Sequence, residues 1–152
     1  MGTHYQGNKK EVKTLNAFIK LMRASESINN RLNRQLAEQD LTVSQFGVLE
    51  ALLHLGPLNQ KALGEKLLKS GGNITLVVDN LEKSGWVERQ RNPQDRRSML
   101  IHLTEEGEDL ISSYFPQHLE NIMQEFKCLS SDELDQLAEM CKRIGLQDPS
   151  NK

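Results

Sequence analysis

NITLVVDNLEKSGWVERQRNPQDRRSMLIHLTEEG, residues 73–107, is the stretch on which the fold turns. Ile74, Val77, Val78 and Leu81 stand at i, i+3, i+4 and i+7, the spacing of one buried stripe on an α-helix. Gly85 follows where a left-handed residue ends such a helix. Trp86 to Arg91 then reads as an extended segment, Asn92-Pro93-Gln94-Asp95 as a turn, and Met99 to Leu103 as the returning strand. Thr104 caps the next helix, with Glu105 and Glu106 in the first turn where the helix dipole favours acids. The order is helix, hairpin with a charged tip, helix.

Upstream, Asn59 caps a short helix from Gln60 to Leu67 that turns Ala62, Leu63 and Leu67 inward. Lys69-Ser70-Gly71-Gly72 is the turn into the helix of roughly 72–83. Two short helices joined by a Gly-bearing turn form a helix-turn-helix, and the hairpin behind it is a wing. A further helix runs from Thr42-Val43-Ser44 to Leu55. Phe46, Val48, Leu49, Leu52 and Leu53 make it apolar nearly all round, so it is central and buried, and Gly56-Pro57 stops it. Residues 11–38 read as one long helix, with Leu15, Phe18, Ile19 and Met22 on one stripe and Ile28, Leu32 and Leu36 extending it. A small monomer cannot cover a helix that long, which calls for a second chain.

Downstream, the helix opened by Thr104 carries Leu110, Ile111, Tyr114, Phe115, Leu119, Ile122, Met123 and Phe126, with a kink expected at Pro116. Ser130-Ser131-Asp132-Glu133 is a capping box for the last helix. There Leu134, Leu137, Cys141 and Ile144 recur like a coiled-coil seam before Gly145. The expected fold is mostly α with a small β-hairpin wing. It is a single chain, 1–152, with a winged helix-turn-helix over 42–103 and dimerisation helices at 11–38 and 104–145.

Hydrophobic residues at 37% with only 5% aromatics suit an aliphatic helical core. No apolar run approaches a membrane span, and Met1 to Lys10 has no signal-peptide core, so a cytoplasmic protein is expected. The net charge of −2 conceals an asymmetry: residues 59–98 hold 8 basic and 5 acidic groups, whereas 104–148 hold 3 and 11. A basic middle with an acidic remainder fits a module that faces nucleic acid. Cys128 and Cys141 make neither a disulfide framework nor a zinc pair; both fall on or near apolar stripes and are expected to be buried, with oxidant sensing as the alternative. The four histidines are scattered, with no pair at i, i+4, and no motif supplies a nucleophile with its base. No metal, cofactor or enzymatic activity is expected; His54 and His102 read as structural or surface residues.

On the reader helix the side opposite the apolar stripe carries Gly72, Asn73, Thr75, Leu76, Asp79 and Asn80. Hydroxyls and amides there can reach base edges in the major groove, and N–H groups at a helix N-terminus bind phosphate. With Ser70 in the preceding turn, the DNA-facing set is Ser70, Gly72, Asn73, Thr75, Leu76 and Asn80. Arg89, Arg91, Arg96 and Arg97 crowd the hairpin, and arginines at such a tip suit the narrow, negative minor groove. Asp95 beside them makes sense if its carboxylate holds an arginine in place. Asp95, Arg96 and Arg97 complete the set. A helical adaptor whose wing binds protein is the rival from another class, and retention on heparin lost at moderate salt separates the two.

Leu63–Leu67 (LGEKL), Asn73–Arg89, Asn92–Arg97 (NPQDRR) and Leu103–Gly107 (LTEEG) together resemble the MarR family over nearly the whole chain, and Asp95, Arg97, Leu103 and Thr104 meet its D-x-R-x-x-x-x-x-L-T pattern. Leu76 departs from it, since relatives often carry a basic residue there. The resemblance implies an obligate homodimer paired through its first and last two helices, with two winged helices on a palindromic double-stranded operator. It implies a repressor released by a small, aromatic or phenolic ligand, or by thiol oxidation. Phe18, Met22, Phe46, Tyr114 and His118 are the residues expected to line a ligand pocket. The family's peroxide sensors carry a cysteine near the start of the first helix, and this chain has none there.

Overall fold

The computed structural model describes residues 2–67 and 71–147. Six helices and three strands follow in order: α1 (Lys9–Leu36), α2 (Val43–Leu55), β1 (Leu58–Asn59), α3 (Gln60–Leu67), α4 (Gly71–Lys83), β2 (Val87–Asn92), β3 (Asp95–Leu103), α5 (Glu105–Phe126) and α6 (Ser131–Gly145). They divide into two compact units, residues 1–118 and 119–152.

The first unit is built around α2. Thr42 Oγ1 accepts the Gln45 N–H at 3.2 Å while Gln45 Oε1 accepts the Thr42 N–H at 3.0 Å, so the helix starts on a closed capping box. Phe46, Val48, Leu49 and Leu52 are buried from it. Leu36 of α1, Leu63 of α3, Ile74, Val77, Val78 and Leu81 of α4, Val87 and Ile101 of the sheet and Ile111 of α5 close over them. Burying each such side chain contributes about 1.5–3 kcal/mol. This one core holds the reader helix and the sheet to the same support.

A latch joins the end of the wing to α5. Gly85 takes φ +78°, the left-handed turn that only glycine enters without strain, and sends the chain from α4 into β2. Thr104 donates its hydroxyl to the Gly85 carbonyl at 2.6 Å and its N–H to the Trp86 carbonyl at 3.1 Å. The same hydroxyl oxygen accepts the Gly107 N–H at 3.0 Å, capping α5. A Cβ at Gly107 would overlap the Trp86 carbonyl oxygen, so the close approach needs a glycine. The Leu-Thr-Glu-Glu-Gly segment is thus a clamp on Gly85-Trp86.

Some details differ from expectation. The wing is a three-stranded antiparallel sheet, β1-β3-β2, because Leu58 and Asn59 pair with Ile101 and Leu100. Two residues are too few to show a strand period. The first helix starts at Lys9 because Asn8 and Glu11 form a capping box, and a 3-10 turn, Ala37–Gln39, follows its end. α5, by contrast, spans the expected stripe as one helix with Pro116 inside it.

In the second unit, the end of α5 and α6 form an open apolar groove of about 750 Å³ lined by Ile122, Met123, Phe126, Leu134, Leu137 and Cys141. α6 opens on the Ser130 capping box, Ser130 Oγ accepting the Glu133 N–H at 3.3 Å. The Ser130 N–H in turn donates to Glu133 Oε2 at 2.8 Å, and this bond first, then the Ser130 hydroxyl, holds the Glu133 carboxyl below its ordinary range. α6 has no buried side chain. Cys128 and Cys141 are exposed, contrary to expectation: their stripe is apolar, but within the chain nothing described closes over it.

Candidate nucleic-acid interface

Helix α4 is held by its apolar stripe, which leaves Gly72, Asn73, Thr75, Leu76 and Asn80 exposed together. Ser70 lies outside the described residues. Asp79 is half-buried, and its carboxylate is committed: it accepts from Arg89 Nη2. Arg89 Nη1 reaches Glu82 at 2.8 Å, and Glu82 also accepts the Arg89 N–H at 3.2 Å. The remaining guanidinium edge faces Gln60, whose Oε1 lies 3.1 Å from Nη2 and 3.4 Å from Nε. That fixes the amide, so Gln60 Nε2 points to Thr75 Oγ1 at 3.0 Å.

Arg89 therefore leaves the set of wing arginines expected to face DNA. Two carboxylates surround its charge, and its side chain ties α3, α4 and β2 together. Asp79 and Glu82 stand three apart on one helical face, a local signal for this role. Gln60 was missed altogether, because no local pattern joins residues 60, 75 and 89.

Arg96 and Arg97 behave differently. The β2–β3 register runs from Val87↔Leu103 to Arg91↔Met99 and then jumps to Asn92↔Asp95, which puts Arg96, Arg97 and Ser98 in an irregular stretch at the tip. Both arginines are exposed, and among the described residues neither has an ion-pair partner. The turn is built from side chains accepting backbone N–H groups: Asn92 Oδ1 from Gln94 and Asp95 Oδ1 from Arg97, each at 3.0 Å. Asp95 thus grips the main chain of Arg97 rather than a guanidinium. At two residues' separation in a tight turn, the carboxylate meets the amide first.

Of the five residues expected to line a ligand pocket, Phe46, Tyr114 and His118 lie together at the core, whereas Phe18 and Met22 are exposed on α1. Phe46 is 1% exposed and belongs to the core, its ring edge-on to Tyr114 at 6.2 Å and stacked on Phe115 at 6.5 Å. His118, 5% exposed, lies 4.0 Å from the Phe46 ring, and burial lowers its pKa from the ordinary histidine value. Among the described residues its Nδ1 has no hydrogen-bond partner, nor has the nearly inaccessible Oε1 of Gln35. Tyr114 donates to the Gln35 carbonyl at 3.4 Å; burial first, and Glu38 second, raise its pKa. Phe18 and Met22, 59% and 52% exposed, lie well before Leu32 and Leu36, the residues that α1 buries. Among the described residues no helix is long and apolar enough to cross a membrane.

Residues 41–99, from the start of α2 to the middle of β3, match the family model described as MarR family. The HTH-type transcriptional regulator MhqR of Bacillus subtilis is 39% identical over 134 residues, covering 88% of this chain and 92% of that protein. The fold is similar to that of Sco3205 of Streptomyces coelicolor, a MarR family transcriptional regulator solved in complex with DNA, with TM-score 0.84, 23% identity and coverage of 98% and 96%. It is also similar to a mutant MarR from E. coli complexed with operator DNA, with TM-score 0.76, 26% identity and coverage of 91% and 99%. The reader helix, the latched wing and these likenesses agree: the chain belongs to the MarR family of winged helix-turn-helix transcription regulators.

Proposed function

We propose that this regulator is a repressor that binds a palindromic operator as a homodimer and is released by a small aromatic or phenolic ligand. The observation that carries the DNA reading is the pairing, on one rigid support, of an outward α4 face with two unneutralised arginines at the wing tip. In this reading Asn73 and Thr75 read bases, with Gly72, Leu76 and Asn80 beside them and Ser70 in the turn before. Arg96 and Arg97, with Asp95 shaping their turn, engage the minor groove or phosphate. The open apolar surfaces of α6 and of the first half of α1 support the dimer, whose pairing regions are 11–38 and 104–145. Buried, unpartnered polar atoms on His118 and Gln35 beside Phe46 and Tyr114 support a small polar-aromatic ligand nearby, with Phe18 and Met22 contributing if a partner chain brings them in.

Affinity for operator and random duplexes, measured at several salt concentrations, tests the reading. Arg96→Ala and Arg97→Ala weaken both duplexes together and shallow the salt dependence by about one unit each. Asn73→Ala and Thr75→Ala instead reduce discrimination by about 1–3 kcal/mol. Unchanged binding by both arginine variants would mean the hairpin is not a DNA wing. Footprinting on the protein's own upstream region, with and without phenols, tests release. Exposure of Cys128 and Cys141 favours a second reading of that step, release by thiol oxidation. Oxidant-induced release that survives in the double Cys→Ser variant eliminates it.

A further inference from the structure

We infer that Leu76 reads the C5-methyl group of a thymine in each half-site. The inference rests on the DNA-binding reading above and specifies what one position of α4 recognises. At 3.6 residues per turn, Leu76 lies almost diametrically opposite the mean direction of Ile74, Val77, Val78 and Leu81. It is 60% exposed and lies in the second turn of α4. Reader helices present their N-terminal turns to base edges, so this is the part of the helix that goes deepest. One turn earlier on the same face stands Gly72, whose Cβ position opens on empty space, so the preceding turn adds no side chain to cover the leucine.

Part of the polar surface near it is already engaged. Thr75 Oγ1 accepts from Gln60, Gln60 Oε1 faces Arg89, and Arg89 is held by Asp79 and Glu82. The charges on this side of α4 are thus paired within the protein, two carboxylates to one guanidinium, and offer no free cation to a base. What projects furthest from the core at this level is an isobutyl group. In the major groove a purine offers N7 with O6 or N6, and cytosine offers N4; an apolar side chain would leave those groups unpaired as water is expelled. Thymine alone among the four bases offers a methyl group. The two wing-tip arginines bring the negative duplex to this surface, which makes DNA the fitting occupant for the exposed leucine.

The test uses the full chain and a duplex selected from a random-sequence pool. Each thymine of the selected duplex is replaced in turn, in both half-sites, by deoxyuridine, which lacks only the methyl group. At one symmetry-related thymine the replacement weakens binding about fourfold per half-site, the effect of losing one buried methyl. A 5-methylcytosine·guanine pair there binds better than cytosine·guanine, and Leu76→Ala binds the thymine and uracil duplexes equally. Leu76→Ala is tolerated because the side chain is exposed and alanine favours the helix. Indifference to uracil at every position, a selected site with no thymine, or a thymine preference that persists in Leu76→Ala overturns this inference alone. A pool that yields no enriched duplex overturns the DNA reading and this inference with it.

Discussion

Leu49 and Leu137 are the same residue type on two helices, and their surroundings differ completely. Leu49 is fully buried in the core of residues 1–118, among side chains from all of that unit's helices. Leu137 lines the open groove of the second unit, on a helix that buries nothing. Apolar periodicity states only that a face must be covered; it is silent on what covers it. In the winged unit the chain covers itself. Along α6, Leu134 and Ile144 remain exposed beside Leu137, which points to a surface supplied from outside.

The largest expected effect breaks the proposed homodimer. Leu137→Asp yields monomers by sedimentation velocity and lowers operator affinity by about 10²–10⁴-fold, because two half-sites no longer bind as one unit. A monomeric variant with full operator affinity would end the contrast between the two leucines. Next comes a paired truncation. Leu49→Ala lowers urea-unfolding stability by about 2–5 kcal/mol at any protein concentration. Leu137→Ala has an effect that grows as protein concentration rises through the dimer range. Equal, concentration-independent losses would place Leu137 in an ordinary core.

Gly107→Ala tests the latch of the winged unit and costs about 1–3 kcal/mol, since the new methyl group meets backbone at Trp86 that cannot rotate away. His118 gives a smaller, pH-dependent effect. Burial lowers its pKa in the folded chain, so the unfolded chain binds the proton first as pH falls. Stability from this group is therefore unaffected well above pH 6.5 and declines below it, by at most about 1.4 kcal/mol per pH unit. Replacement of His118 by Phe removes that component; an identical pH profile would show that the histidine does not titrate between the two states. The smallest effect belongs to the thiols. Cys128→Ser and Cys141→Ser each change unfolding stability of dilute, monomeric protein by less than about 0.5 kcal/mol, because both side chains are exposed. A larger loss in the monomer would mean that they pack after all.

Short-range rules account for what could be read without coordinates. Thr42, Asn59, Thr104 and Ser130 each cap the helix they precede, because a cap involves residues only two or three apart. The stripe on α4 is turned inward as its spacing requires, which leaves Asn73, Thr75 and Leu76 on the outer face. Gly85 and the wing turn are legible for the same reason: their chemistry is local.

Tertiary structure decided the rest. Arg89 looks like Arg96 and Arg97 in a line of sequence, yet Asp79, Glu82 and Gln60 converge on it while, among the described residues, the other two have no ion-pair partner. Residues 60, 79 and 89 meet only after α3, α4 and β2 have packed on one core, so no window of sequence contains them. β1 exists because β3 lies beside it, and Phe46 is core because Tyr114, Phe115 and His118 of α5 pack onto its ring. Periodicity and capping are properties of neighbours in the chain. Charge neutralisation and burial are properties of neighbours in space, and in this protein they separate the arginine that braces the reader helix from the arginines that remain available to a partner.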